Sequence, residues 1–165
     1  MFSLRKQRIL YAILLFIWIT IIFIMSSQRA NESAQLSNTF VVKIVKLIYP
    51  GFSNFSAEKQ LEIMQLTSFL VRKTAHFLEY FVLGVFSILL VDTHKKYKCK
   101  YRVLTAILFC IVYAVSDEVH QHFVPGRACR FVDVIIDTSG ALIAILILTL
   151  IKNKTLGRKS GENDA

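Results

Sequence analysis

The sequence predicts an all-α integral membrane protein, with four transmembrane helices and an extracytoplasmic amphipathic helical connector between the first and the second. Three observations carry that reading. The chain is 55% hydrophobic with a mean hydropathy of +0.53 although 19% of its residues are charged, so charge and apolarity must be segregated along it. They are: uncharged apolar runs alternate with strongly charged segments, as in a multi-spanning protein. The basic segments also recur at every second junction, which is the pattern of positive residues held on one side of a membrane.

The first span covers residues 9–25 and contains no charge. At 1.5 Å per residue it reaches about 26 Å, near the short limit for crossing a bilayer. Arg5, Lys6 and Arg8 before it resemble the start of a signal peptide. The run is longer than a signal's apolar core, however, and Ile24-Met25-Ser26-Ser27-Gln28 lacks the small-residue cleavage pattern, which favours an uncleaved helix.

Residues 28–73 form the connector. Lys43 and Lys46 put a basic side on an otherwise apolar stretch that Pro50-Gly51 then breaks. Ser56 is placed to cap a second helix, with Glu58 complementing the dipole in its first turn. Leu61, Met64, Leu66 and Phe69 recur near helical spacing. A structureless loop this long is unusual, so two amphipathic helices on the membrane surface or over the bundle are expected; the plainer alternative is a small helical hairpin outside the membrane.

The second span covers residues 74–91 and the third 103–120, separated by a segment with Lys95, Lys96, Lys98, Lys100 and Arg102. Val124-Pro125-Gly126-Arg127 marks a turn, and the fourth span covers residues 131–151. The polar tail, residues 152–165, is expected to be disordered. All of this forms one membrane domain, residues 1–165. The basic N-terminal flank, the second-to-third loop and the tail with Lys152, Lys154, Arg158 and Lys159 fall on one side, expected to be the cytoplasm. The net charge of +9 is accounted for by these flanks and by anionic lipid, and no nucleic-acid partner is expected. Cys99, Cys110 and Cys129 have neither zinc-ligand spacing nor the arrangement of a disulfide framework.

Against that topology the ionisable residues inside the spans stand out. An intramembrane carboxylate costs about 2.5–3.5 kcal/mol at mid-helix, so Glu79, Asp133 and Asp137 require a reason. Helical spacing places Arg72, His76, Glu79 and Tyr80 on one face of the second span, Asp117 and Gln121 on one face of the third, and Asp133, Asp137 and Gly140 on one face of the fourth. Gly140 and Ala141 permit close helix contact there. With four spans, all these groups, together with Lys73, Glu118 and Arg127, fall at the outer membrane face. Arg72, Lys73, Arg127 and Arg130 then violate the charge rule, which marks them as functional or as partners of the carboxylates.

The candidate acid–base groups, and so the catalytic candidates, are Glu79, Asp117, Glu118, Asp133 and Asp137. Arg72, Lys73, His76, Tyr80, Gln121 and Arg127 are the candidate binding residues, suited to a phosphate or carboxylate on a lipid headgroup. His76, Glu79, Asp133 and Asp137 are the candidate metal ligands, although His76-x-x-Glu79 is a weak match to any metal motif. The competing structural reading is that cations and carboxylates merely pin helices together and headgroup-level charges snorkel. His120 and His122 read as surface residues. Asp133-x-x-x-Asp137 shares a fragment with the lipid-alcohol phosphotransferase signature, without its glycine-rich remainder, and no G-x-S-x-G elbow occurs.

Three ordered motifs resemble the VanZ-like family of small bacterial membrane proteins. They are Arg72-Lys73-Thr-Ala-His76-Phe-Leu-Glu79-Tyr80, Ser116-Asp117-Glu118-Val-His120-Gln121-His-Phe-Val-Pro125-Gly126-Arg127 and Asp133-Val-Ile-Ile-Asp137-Thr-Ser-Gly140. The resemblance covers about residues 71–151. Members often carry Asn at the position of Asp137 and a second glycine at that of Ala144, so this chain looks like a branch with an aspartate pair. The resemblance implies a component of the cell envelope, linked in some members to reduced susceptibility to teicoplanin-type glycopeptides, in the bacterial plasma membrane. It implies no particular reaction or cofactor. Three functions follow as expectations: such an envelope protein, a membrane enzyme acting on a lipid or lipid-linked cell-wall precursor, or ion-coupled transport. The almost purely apolar inner halves of the second and fourth spans argue against the third.

The topology makes a direct prediction. A thiol reagent confined to the outside of intact cells labels Cys129 and leaves Cys99 unmodified; the reverse pattern contradicts it.

Overall fold

Two of the five helices start at a side-chain cap. In the computed structural model, which describes residues 3–28, 30–127 and 129–163 and the side chains of these outside 30–38 and 156–163, the helices are α1 (Leu4–Ser26), α2 (Ala30–Ile48), α3 (Ala57–Asp92), α4 (Cys99–His122) and α5 (Phe131–Asn163). The Ser3 side chain accepts from Lys6 N at the start of α1, and the Ser56 side chain accepts from Lys59 N at the start of α3. Gly51, with φ of 89°, makes the turn after α2, a left-handed conformation that suits glycine, and a single 3₁₀ turn over Phe52–Asn54 follows. No strand occurs among the described residues.

Four of these helices are long and apolar enough to cross a membrane: α1, α3, α4 and the Phe131–Thr155 part of α5. Their outward faces carry exposed Phe16, Leu78, Leu108, Val112, Ile135 and Leu150, the surface a bilayer covers. Inside lies a core of Leu15, Ile22, Tyr80, Leu83, Ile88, Ala106, Cys110, Ala114, Ala141 and Ile145. The three cysteines are unpaired: Cys110 is buried and donates to Ser87 Oγ at 3.5 Å, Cys99 is partly buried and Cys129 exposed.

Helix α3 is the axis, packed against all four others. Its closest approach is to α5, where small residues remove the side chains that would separate the backbones. A Cβ added at Gly140 would lie 2.2 Å from the Phe77 carbonyl oxygen, and one at Gly84 would lie 2.5 Å from that of Ala141. The close contact expected at Gly140 and Ala141 is therefore present, and it runs on to Gly84 and the buried Ala144.

The connector differs from expectation in one respect. Residues 57–73 do not form a separate helix: α3 runs unbroken from Ala57 to Asp92, because neither glycine nor proline interrupts residues 57–83. At about 54 Å it is far longer than the roughly 30 Å apolar core of a bilayer, so one end projects. Helix α2 packs back along that projecting part through Val41 and Val45, leaving Lys43 and Lys46 exposed. The connector is helical as expected, with α2 and the first part of α3 packed against each other and Phe40 of α2 at the cleft. Helix α5 likewise continues to Asn163 through much of the segment read as a disordered tail; the side chains of Arg158 and Lys159 lie outside the described residues.

The two ends of the bundle are tied differently. At one end lie the start of α1, the end of α3 and the start of α4. Asp92 holds Arg102 at 2.9 Å and pairs with Lys152, while Arg8 donates to Thr93 Oγ1 at 3.3 Å. The N-terminal flank, the loop between α3 and α4 and the exit of α5 thus share one end, as the charge pattern requires. At the other end gather the end of α1, the middle of α3, the end of α4 and the start of α5.

The α3–α5 contact predicts that Gly140→Ala lowers stability by about 1–3 kcal/mol through overpacking. Thermal unfolding of detergent-purified protein checks it, with Ile143→Ala on the exposed face as the near-neutral control.

Candidate functional site

The polar end is built in two layers. The outer layer is a cleft of about 430 Å³ lined by Arg72, Lys73, His76 and Glu79 of α3, Gln121 of α4, Gly126, Arg127 and Arg130 of the following loop, and Asp133 of α5. Met25, Phe40, Phe69 and Val71 add apolar walls. The inner layer is buried: Tyr80, Asp117, Glu118 and Asp137, none more than 4% exposed. Every residue expected to carry function from Arg72 to Asp137 therefore falls at one end of the bundle.

Asp117 organises the inner layer. Its Oδ2 accepts from Ser26 Oγ at 2.8 Å and from Gln121 Nε2 at 3.0 Å, and Gln121 Nε2 also reaches Ser26 Oγ at 3.2 Å. Gln121 sits one turn after Asp117 because α4 continues to His122, as the shared face requires. The amide passes the network outward, since Gln121 Oε1 accepts from Arg127 Nη1 at 3.1 Å.

Arg127 then clamps the exposed end of α1. Its Nε donates to the Gln28 carbonyl at 3.0 Å and its Nη2 to the Met25 carbonyl at 3.3 Å, oxygens at and just beyond the point where the helix stops. Burial lowers the Arg127 guanidinium from its ordinary value; Asp117 opposes this, Arg72 across the cleft adds to it, and Glu79 and Glu118 oppose it. An arginine stays cationic throughout. On the α5 side, Glu118 Oε1 accepts from the Arg130 backbone N–H at 2.6 Å, and Lys73 pairs with Asp133. Those contacts fix the start of α5 against α3 and α4.

The centre of the site is less completely paired. Asp137 is 1% exposed, yet neither of its oxygens has a hydrogen-bond partner among the described residues, and the same holds for Tyr80 Oη and His76 Nδ1. His76 Nδ1 stands 3.8 Å from Asp137 Oδ1 and 4.0 Å from Glu79 Oε2, beyond a direct bond to either. A buried polar group without a partner costs about 1–3 kcal/mol, so by its described contacts Asp137 adds no hydrogen bond to the stability of the bundle. Among the described residues, no three His, Cys, Asp or Glu side chains converge closely enough to hold a metal ion, so His76, Glu79, Asp133 and Asp137 are not gathered as one ligand set.

Some contacts were not evident from residue spacing. Ser26 is one, foreshadowed only by the polar pair that ends the first apolar run. Trp18, unexpectedly in the middle of that run, donates its indole N–H to the Glu79 carbonyl at 2.8 Å, and Tyr113 donates to the Ile19 carbonyl at 2.9 Å. Both tie α1 into the site's level. His120 is partly buried: it stacks on Phe23 at 4.7 Å between centroids and meets Ser27 Oγ at 3.1 Å, whereas His122 is exposed.

No curated protein and no solved structure shows significant similarity to this chain. The VanZ/LLP1 family model matches residues 10–152, which takes in most of α1, the connector, the cleft and most of the membrane-crossing part of α5. The chain is a multi-pass membrane protein that belongs to the VanZ/LLP1 family.

Proposed function

We propose that this chain is a component of the bacterial cell envelope that lies in the plasma membrane with both termini in the cytoplasm, carries its polar cleft at the outer face, and lowers exposure to teicoplanin-type glycopeptides. The observation that carries the reading is the cleft itself. Three sequence-distant motifs, the same three by which the chain resembles its family, contribute Arg72, His76, Glu79, Gln121, Arg127 and Asp133 to one opening. The basic end, with Arg8, Arg102 and Lys152, supports the orientation, since positive residues accumulate on the cytoplasmic side. Cations that line a cleft at the opposite face are retained against that bias, which is expected of groups that meet a ligand.

A second reading has an observation of its own. Asp137, buried beside His76 and Tyr80 with no hydrogen bond to either oxygen, is placed as an acid–base group would be in an enzyme acting on a lipid or lipid-linked cell-wall precursor. Glu79, at the cleft wall, stands 4.0 Å from the same His76 nitrogen. In that reading Asp137→Asn abolishes function while the fold persists, because the amide keeps the shape and loses the charge.

The test is teicoplanin susceptibility of a sensitive host expressing the wild-type chain, Arg72→Ala, Glu79→Gln, Asp117→Asn or Asp137→Asn, with membrane protein level measured in parallel. The expected outcome is a raised inhibitory concentration for wild type and its loss in Arg72→Ala at normal protein level. An unchanged inhibitory concentration on wild-type expression contradicts the glycopeptide role.

A further inference from the structure

Three arginines, Arg72, Arg127 and Arg130, converge on the cleft without an ion-pair partner among the described residues. Lys73 is paired with Asp133, and Glu79 is the other carboxylate that lines the opening, with Asp117, Glu118 and Asp137 in the buried layer beneath. Neither Arg72, Arg127 nor Arg130 has a carboxylate within 4.0 Å among the described residues. Arg127 has used three of its donors on the Gln28 and Met25 carbonyls and on Gln121, and a guanidinium offers five. Like charges held around one opening repel until an anion lies between them. A carboxylate would be saturated by one bidentate arginine; cations arriving from α3, from the loop and from the start of α5 suit an anion with oxygens in several directions.

The opening is also amphiphilic. Met25, Phe40 and Phe69 line it and are 43%, 58% and 42% exposed. Apolar side chains at the mouth of a cationic cleft, at the end of a membrane bundle, fit a ligand with a charged head and an apolar body. Deeper in, His76 lines the cleft and stands beside Asp137, whose oxygens lack partners, so the floor is polar and open to a further hydrogen bond.

We propose that this cleft binds a phosphate group, with Arg72, Arg127 and Arg130 on its oxygens and Met25, Phe40 and Phe69 against the apolar portion of a phosphorylated amphiphile. The proposal rests on the reading of the cleft as a ligand site and adds the ligand's chemical class. Arg72 and Arg130 supply charge without holding the fold by any described contact of their side chains. Arg127 does both, because it also closes the end of α1.

The experiment is calorimetric titration of the full chain, purified in a neutral detergent, with dioctanoyl phosphatidic acid, dioctanoyl phosphatidylcholine and inorganic phosphate. Phosphatidic acid is expected to bind at least about tenfold more tightly than phosphatidylcholine, and Arg72→Gln and Arg130→Gln each to weaken it about tenfold, the size of a lost charge-assisted contact. Lys96→Gln, at the opposite end, is expected to leave it unchanged, and circular dichroism of each variant confirms that the helices are intact. Phosphatidic acid binding more tightly than inorganic phosphate assigns the site to an amphiphile; equal affinities assign it to the free ion, and each supports a phosphate site. Equal affinity for phosphatidic acid and phosphatidylcholine, or affinity unchanged in both arginine variants, overturns it. Binding is read on purified protein and susceptibility in cells, so a chain that binds phosphate without altering susceptibility separates this proposal from the envelope role.

Discussion

The backbone contact between α3 and α5 is the constraint on which the rest of the polar end depends. With hydrogen in place of a side chain at Gly140 and Gly84, the two helices approach until Phe77 and Ala141 carbonyls touch the opposite backbone. At that separation Lys73 reaches Asp133 and His76 stands within 4 Å of Asp137. In a bilayer the apolar surfaces of helices are no more attracted to each other than to lipid, so such packing replaces the hydrophobic drive that assembles a soluble core. The sequence supplies small residues where the functional side chains must meet and bulky ones, Leu78 and Ile135 among them, where lipid is the neighbour.

The second constraint is that polar groups in this setting must find one another. Asp117 does so fully, through Ser26 and Gln121, and the network ends on Arg127 and the carbonyls that close α1. Asp137 does not. The contrast separates two roles within one cluster. The hydrogen-bonded aspartate fixes α1 against α4, while the unpaired one lies buried beside His76 without a hydrogen bond to either neighbouring helix. A buried carboxylate is costly in either role, and the structural reading of helix pinning accounts for Asp117 and Asp133 far better than for Asp137.

Much of this was legible in the sequence, for identifiable reasons. Helical periodicity placed Arg72, His76 and Glu79 on one face, Asp117 and Gln121 on another and Asp133 and Asp137 on a third, and the alternation of basic flanks brought those faces to one end. The extent of α3 was not legible, because hydropathy marks where a helix meets lipid and not where it stops; α3 leaves the apolar run at Thr74 and stays helical back to Ala57. Nor were the roles of Ser26, Trp18 and Arg127 as ties to α1, since each joins residues more than 60 positions apart. Asp92 drew no attention at the edge of its run, yet it binds Arg102 and Lys152 and closes the opposite end of the bundle.

Disulfide trapping in native membranes tests the arrangement most directly. In a chain whose Cys99, Cys110 and Cys129 have been replaced by serine or alanine, Lys73→Cys with Asp133→Cys is expected to cross-link α3 to α5 on mild oxidation, joining the fragments after cleavage of the loop between α4 and α5. Lys73→Cys with Lys152→Cys, at opposite ends of the bundle, is expected to give none. Absence of the first cross-link at normal protein level, or equal yields from the two pairs, would contradict the α3–α5 contact and the cleft built upon it.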